Sequence, residues 1–436
     1  MTGDVAVIGG GMAGLAAADR LARAGCKVVL LEARARLGGR IHTVVDPATD
    51  HAVELGAEFL EGQPRPLLQL IESAGITLQE IPERHERADQ GSRRHFPDVE
   101  ALVDRLLANI PDGEDIPVAQ LLRQRARDFS SQELDAITGY LEGFHAADLE
   151  RFGTAALAEN QAAEAQDAEH LFRLEGGYGR VVSHLASTLK VSGAEVRTET
   201  VAQRLNWKAG AVELEAQSRA GGATRIIAAQ AVVAVPLSIL KAARNAEGGL
   251  FPAPSPPGWS AALACLEVGP AQHMVLRFDD AWWVKQQRSP PVFMHGMGED
   301  FPVWWTSTPP DLPFLTGWAG GPGASKLAGQ TLEQLVPLAL QSASSIFGIP
   351  VQRLASKLRA AYSHDWSSDP YTRGGYSYGG VGALPAREVL RRPVSQTLFL
   401  AGEALAEEGR NGTVPGALAS GLRAAEAALQ TELAQD

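Results

Sequence analysis

The 436-residue chain holds only two cysteines, Cys26 and Cys265. Neither stands in a CxxC or zinc-type spacing, so no disulfide framework and no metal site is expected. A basic excess is also missing. Lys and Arg number 39 against 51 Asp and Glu, a formal charge of −12 at pH 7. Nucleic acid is therefore not an expected partner, because neutralising phosphates takes clustered Lys and Arg. The sign is mildly compatible with a cationic small molecule. No apolar run reaches the roughly 18–20 residues of a membrane span, so no membrane association is expected. Met1–Asp4 carries no basic segment or cleavage site before the apolar run "VAVIGG", so no leader is expected. A reducing, cytoplasmic setting follows, and a homodimer stays open.

Glycine, by contrast, is plentiful at 45 residues, as in a chain whose backbone approaches a ligand closely. The length exceeds one ordinary core, so two domains are expected. The stretch "DVAVIGGGMAGLAAADRLARAGCKVVLLE", residues 4–32, carries the densest signal. Asp4–Ile8 reads as a buried parallel strand. Gly9, Gly11 and Gly14 then form G-x-G-x-x-G. The first permits a tight turn, the second lets backbone approach a pyrophosphate, and the third lets helix pack on strand. Residues 12–24 read as an amphipathic helix closed by Gly25. A second strand, Lys27–Leu31, ends at Glu32, near the spacing of a ribose-hydroxyl acceptor. The free N–H groups of the helix start suit the pyrophosphate. An acid at this position favours FAD or NAD over NADP.

The residues that follow resemble the flavin-containing amine oxidase family. "EARARLGGR", Glu32–Arg40, is similar to its glycine-arginine segment along the FAD pyrophosphate, which implies contacts from Arg34, Gly39 and Arg40. "VELGAEFLEG", Val53–Gly62, resembles the segment beside the isoalloxazine ring, implying Gly56, Ala57, Glu58 and Phe59. "EGGYGRVVSHLA" (175–186), "TVAQRLNW" (200–207) and "AVVAVPLSIL" (231–240) match in order, with Val201 at the adenine. The closing FAD motif is matched by Leu398–Leu429, which implies Gly402, Glu403, Thr413 and Val414 at the cofactor. The resemblance spans residues 4–436. It implies an α/β fold with a Rossmann-type (GR2-like) FAD-binding domain at 1–80, 171–255 and 385–436. A mixed α+β substrate domain would occupy 81–170 and 256–384.

The implied chemistry is oxidation of a primary or secondary amine to an imine, with a hydride equivalent passing to flavin N5. Oxygen, giving hydrogen peroxide, or another acceptor then reoxidises the flavin; the flavin carries the redox step, so no triad is needed. The substrate nitrogen reacts deprotonated, so activity should rise with pH. One departure stands out. The family's usual lysine falls at His273 in "VGPAQHMVLRFDDAWW", Val268–Trp283, and Lys285 lies two residues past the aromatic pair. A histidine can still hold a water there, but its charge is not assured, which implies slow reoxidation by oxygen. Carotenoid and protoporphyrinogen-type desaturases lack the lysine too and form the alternative reading.

"WSSDPYTRGGYSYGGVG", Trp366–Gly382, resembles the segment that brings aromatics to the flavin. It implies Trp366 at the ring's apolar edge and Tyr376 as one wall of an aromatic cage. The second wall falls at Thr413, which is not aromatic. The position of a covalent-flavin cysteine falls at Gly375, which implies non-covalent FAD. Trp304, Trp305 and Trp318 belong to the substrate sheet and either line a pocket or fill a core. Phe144 and His145 end a helix that can face the cavity. Elsewhere, 83–95 reads as a polar surface loop, and Val99, Leu102, Val103, Leu106 and Leu107 as a helical stripe. Ser130 and Glu133 stand in capping-box spacing.

Overall fold

The structure is a computed structural model that describes residues 2–82, 84–111, 113–167, 170–244, 249–286 and 293–432. The opening apolar run is the strand Thr2–Ile8, at the centre of a parallel group. Val28–Leu31 pairs with it on one side and Ala223–Val233 on the other. Glu195–Arg197 and Leu398–Leu400 add parallel strands, while Ala211–Ser218 and Thr200–Lys208 continue antiparallel. Val28–Leu31 is buried at all four positions, as a parallel strand covered on both faces must be. Helices Met12–Arg23, Gly179–Val191 and Val414–Glu432 supply Leu15, Leu21, Leu185, Leu189 and Ala425 to the core over Val5 and Val7.

A second sheet has the order Leu358–Ser363, Ala271–Phe278, Phe314–Gly320, Val303–Thr306, Phe293–His295, His85–Asp89, Ser92–His95. Its last two strands correct the expectation of a loop at 83–95; Glu83 itself lies outside the described residues. Gln90 and Gly91 both have positive φ, 48° and 78°, the geometry of a tight two-residue hairpin turn. Asp89 pairs with Ser92 across it, and Phe293–His295 pairs in parallel with His85–Arg87. Among the described side chains the charged ones mark an edge, and Ala88 turns into the core.

The helical stripe forms as read: Val99–Leu107 buries Val99, Leu102, Val103 and Leu106, and Asp98 caps it through Ala101 N–H. Ser130 and Glu133 close a reciprocal capping box on helix Ser131–Phe144. No single helix among the described residues is long and apolar enough to cross a membrane.

Glu54 ties strand Ala52–Glu54 to Thr43 and to the start of helix Gly179–Val191. It accepts from Thr43 Oγ1 at 2.8 Å and from Tyr178 N–H at 2.6 Å, just before helix Gly179–Val191. Burial pushes its carboxyl up from 4.5 to about 8. The fold therefore favours the protonated form. This contribution is complete below about pH 4.5 and is lost as pH rises to about 8. Glu54→Gln keeps an acceptor for Tyr178 N–H and, like the protonated acid, offers a donor to Thr43 Oγ1, so it should remove that slope. Thermal melts from pH 5 to 8 read it, and the gain at pH 8 is on the order of a few kcal/mol.

Candidate functional site

A single cavity of about 1610 Å³ runs between the two sheets. That exceeds the roughly 300–1,000 Å³ of an ordinary small-molecule pocket, so it has room for a large ligand and a smaller one together. One end is a glycine cradle. Gly9 has φ 108°, and a Cβ there would come within 2.6 Å of Ala234 O. A Cβ on Gly14 would lie 1.9 Å from Gly9 O, so this glycine packs the helix and does not line the cavity. Gly11, the N-cap of Met12–Arg23, and Gly402 do line it. A Cβ on Gly402 would meet nothing within 4 Å, and one on Gly11 only Gly39 Cα at 4.0 Å. Bare backbone and a helix start thus face the cavity, the arrangement that holds a pyrophosphate.

Glu32, Arg34, Gly39, Arg40, Gly56, Ala57, Glu58, Phe59 and Val201 all line this cavity, as do Trp366, Glu403, Thr413 and Val414. Glu32 accepts from Gly10 N–H at 2.8 Å and Arg34 N–H at 2.9 Å, which fixes the carboxylate at the end of its strand. The arginines are not free cations. Arg34 pairs with Asp369 at 2.5 Å and Arg40 with Glu403 at 2.7 Å. Glu403 is buried, which raises a carboxyl, yet Arg40, Ser377 Oγ and Gly412 N–H hold it below its ordinary value. Trp366 is buried and donates to Leu55 O at 2.8 Å. The Thr413 hydroxyl accepts from Gly416 N–H at 3.0 Å and caps Val414–Glu432, whose first turn faces the cavity.

The other end is aromatic and acidic. Tyr376 and Trp318 stack at 6.3 Å between centroids and 13° between planes. The Tyr376 hydroxyl donates to Phe144 O, and Trp318 Nε1 donates to Gly143 O at 3.2 Å. The ring that faces Tyr376 is Trp318, from the neighbouring sheet, while the Thr413 hydroxyl caps a helix. Phe144 is 43% exposed and lines the cavity with His145. Trp304 corrects the expectation of a pocket residue. It is fully buried, donates to Phe301 O at 2.8 Å and belongs to the core of the second sheet. Strand alternation decides it: on Val303–Thr306, Trp304 faces the core and Trp305 the cavity.

His273 sits on the inner strand Ala271–Phe278, 2% exposed, between the rings of Trp305 and Trp318. Its Nε2 is 3.3 Å from Glu58 Oε2, but neither ring nitrogen makes a hydrogen bond. Both nitrogens are buried, so the ring reaches the cavity by its carbon edge. The side chain of Lys285 lies outside the described residues. Glu58 is held by Arg173 Nε at 2.8 Å and Nη2 at 2.7 Å, and by Trp305 Nε1 at 3.1 Å. Burial raises this carboxyl, but Arg173 first, then His273 and Trp305, override it and bring it down to about 2.

Trp305, Glu61, Tyr140, Glu164 and His145 complete the walls, and Arg173 supports Glu58 from outside the lining. Sequence reading assigned none of them a role at the site, except that it placed Trp305 and His145 as candidates. Helical spacing puts Tyr140 and Phe144 on one face, and their rings do stack at 5.3 Å. The acidic partners come from distant segments and leave no local signal.

The family model "Flavin containing amine oxidoreductase" matches residues 12–127 and 119–429. Polyamine oxidase 3 of Oryza sativa subsp. japonica is 29% identical, covering 96% of this chain and 88% of its own. Polyamine oxidase 2 of Arabidopsis thaliana is 28% identical, over 97% and 87%. Among solved structures, a putrescine oxidase bound to putrescine has a TM-score of 0.81 at 20% identity, covering 99% of each chain. Cyclohexylamine oxidase from Brevibacterium oxydans IH-35A has 0.79 at 20%, again over 99% of each. At these identities the structural likeness speaks for the fold.

Proposed function

We propose, for a chain that belongs to the flavin-containing amine oxidoreductases and is an FAD-dependent amine oxidase or dehydrogenase, that it converts a primary or secondary amine to the imine. We read residues 1–80, 171–255 and 385–436 as the FAD-binding domain, with 81–170 and 256–384 holding the substrate. The carrying observation is that one cavity joins the glycine cradle to the Tyr376–Trp318 wall. FAD held there without a covalent link would supply the acceptor for a hydride equivalent from the carbon bearing the amine, with O2, giving H2O2, or another acceptor as the oxidant. Gly11 and Gly402 give backbone room for the dinucleotide, and Gly375 offers no thiol for a covalent bond. Trp318 and Tyr376 orient the amine by their faces. Trp305 and Glu58 close the wall against water.

Acid precipitation of the yellow protein tests the non-covalent hold: the flavin should appear in the supernatant, and a yellow pellet would refute it. Aerobic incubation with an accepted amine should release the carbonyl compound that follows imine hydrolysis. Where a lysine usually supplies a cation, His273 has no nitrogen open to the cavity. Reoxidation by oxygen should therefore be slow, and His273→Lys should raise its stopped-flow rate by at least about threefold, a barrier change of at least about 0.65 kcal/mol. An equal rate in the variant would remove His273 from the oxidative step.

A further inference from the structure

The glycine cradle has a roof that the chemistry above leaves unused. Residues 367–373 form a loop whose ends meet, because Gly374 N–H donates to Trp366 O at 2.8 Å. Both ends are fixed. Trp366 is buried and bonded to Leu55 O. A Cβ on Gly374 would lie 2.4 Å from Val268 Cγ1, so the chain there packs flat on strand Leu266–Gly269. Between these ends the loop bonds to itself. Asp365 accepts from Ser367 and Ser368 N–H, both at 3.0 Å, and the Asp369 carboxylate from Tyr371 N–H at 2.9 Å. Asp369 O accepts from Thr372 N–H at 3.1 Å and Arg373 N–H at 2.9 Å. This is the compact kind of loop, closed at its base, that can tilt without losing its own bonds.

The middle of the loop spans a crevice. On one side Arg34, which follows strand Val28–Leu31, pairs with Asp369 Oδ1 at 2.5 Å and donates to Thr372 Oγ1. Its guanidinium also lies 5.5 Å from the Tyr371 ring centroid. On the other side Ser238, which follows strand Ala223–Val233, donates to Thr372 O. These two strands flank Thr2–Ile8, whose end carries the cradle. Pro370, Tyr371, Thr372 and Arg373 line the cavity there. The loop therefore crosses the carboxyl ends of three parallel strands, where such a sheet holds a dinucleotide.

We infer that residues 367–373 are a strap that lifts to let FAD enter and leave, and that Asp369 on Arg34 is its latch. The inference rests on FAD filling this cavity and adds the route by which it arrives. A dinucleotide laid on the cradle lies under a segment tied down on both sides of it, so those ties must open first. Lifting breaks the bonds to Arg34 and Ser238 and keeps those inside the loop. The Arg34 and Asp369 side chains are 13% and 8% exposed, so salt screens the latch little. Burial raises the Asp369 carboxyl, but His364 and then Arg34 override it and bring it down to about 2, so the latch is charged at pH 7. A latch and a cofactor contact differ in kinetics. A contact slows departure alone and tightens binding; a latch slows arrival and departure together and leaves affinity nearly unchanged.

Flavin fluorescence tests this without turnover. Mixing FAD with protein stripped of it by potassium bromide gives the uptake rate, and diluting the holoenzyme gives the release rate. Asp369→Asn, which keeps the shape and removes the charge, should speed both by at least about tenfold, with the dissociation constant kept within about threefold. Ser238→Ala, the milder change at the other side, should speed both by at least about threefold. The inference is overturned if Asp369→Asn speeds release alone, or changes neither rate. If that variant does not fold, Ser238→Ala decides, and an unchanged uptake rate overturns the inference. Wild-type protein that takes up no FAD at all refutes the cofactor reading instead, so the two failures are distinguishable.

Discussion

Gly11→Leu should give a folded protein that purifies colourless. Gly11 has φ −75°, which any residue adopts, and its Cβ would touch only Gly39 Cα at 4.0 Å. The backbone therefore accepts a side chain, but the chain behind that Cβ stands in the cavity at the start of helix Met12–Arg23. There it displaces a phosphate from the free N–H groups of the first turn. Flavin absorbance per protein should drop to less than about a tenth of wild type, while the circular dichroism of the apoprotein is kept; such a loss corresponds to at least about 1.4 kcal/mol of binding. Gly14→Ala makes the contrast. Its Cβ would fall 1.9 Å from Gly9 O, so the strand and helix must separate and the protein should fail to fold. A Gly11→Leu protein as yellow as wild type would remove the glycine cradle from the cofactor site.

Arg173→Met should cost about 3–5 kcal/mol of stability, because it leaves a buried carboxylate with its main counter-charge removed. Arg173 and Glu58 are 13% and 12% exposed, and two guanidinium nitrogens share one carboxylate oxygen. Adding Glu58→Gln should recover most of the loss, since an amide needs no cation. The pH dependence gives the sign. Arg173, with lesser help from His273 and Trp305, depresses the folded pKa of Glu58 from 4.5 to about 2 against burial, so these contacts stabilise above about pH 4.5 and that stability is lost as pH falls to about 2. Arg173→Met should lose most of this acid sensitivity, as read by melts between pH 5 and 3. A variant as stable as wild type, with the same acid slope, would show that the pair contributes nothing.

The cofactor end was legible because its signals are local. Three glycines, a strand, a helix and Glu32 lie within 32 residues, and each has one physical use. Ser130 and Glu133 were legible for the same reason. The hairpin His85–His95 was not, since its charged residues read as a loop until Phe293–His295 pairs with it. Trp304 and Trp305 are adjacent and chemically equal; only the register of a strand against its neighbours sends one to the core. The Tyr140–Glu164 bond joins two helices 24 residues apart, and Arg173 reaches Glu58 across 115. No spacing rule connects such pairs, because tertiary packing alone decides which side chains meet.

Anaerobic mixing of the purified holoenzyme with polyamines, aromatic amines, cyclic amines and amino acids tests the central claim most directly. At least one amine should bleach the flavin's visible band, and restoring an electron acceptor should bring the band back with release of the carbonyl product. Inert amines beside a polyene or a reduced cyclic tetrapyrrole that bleaches the flavin would contradict the account.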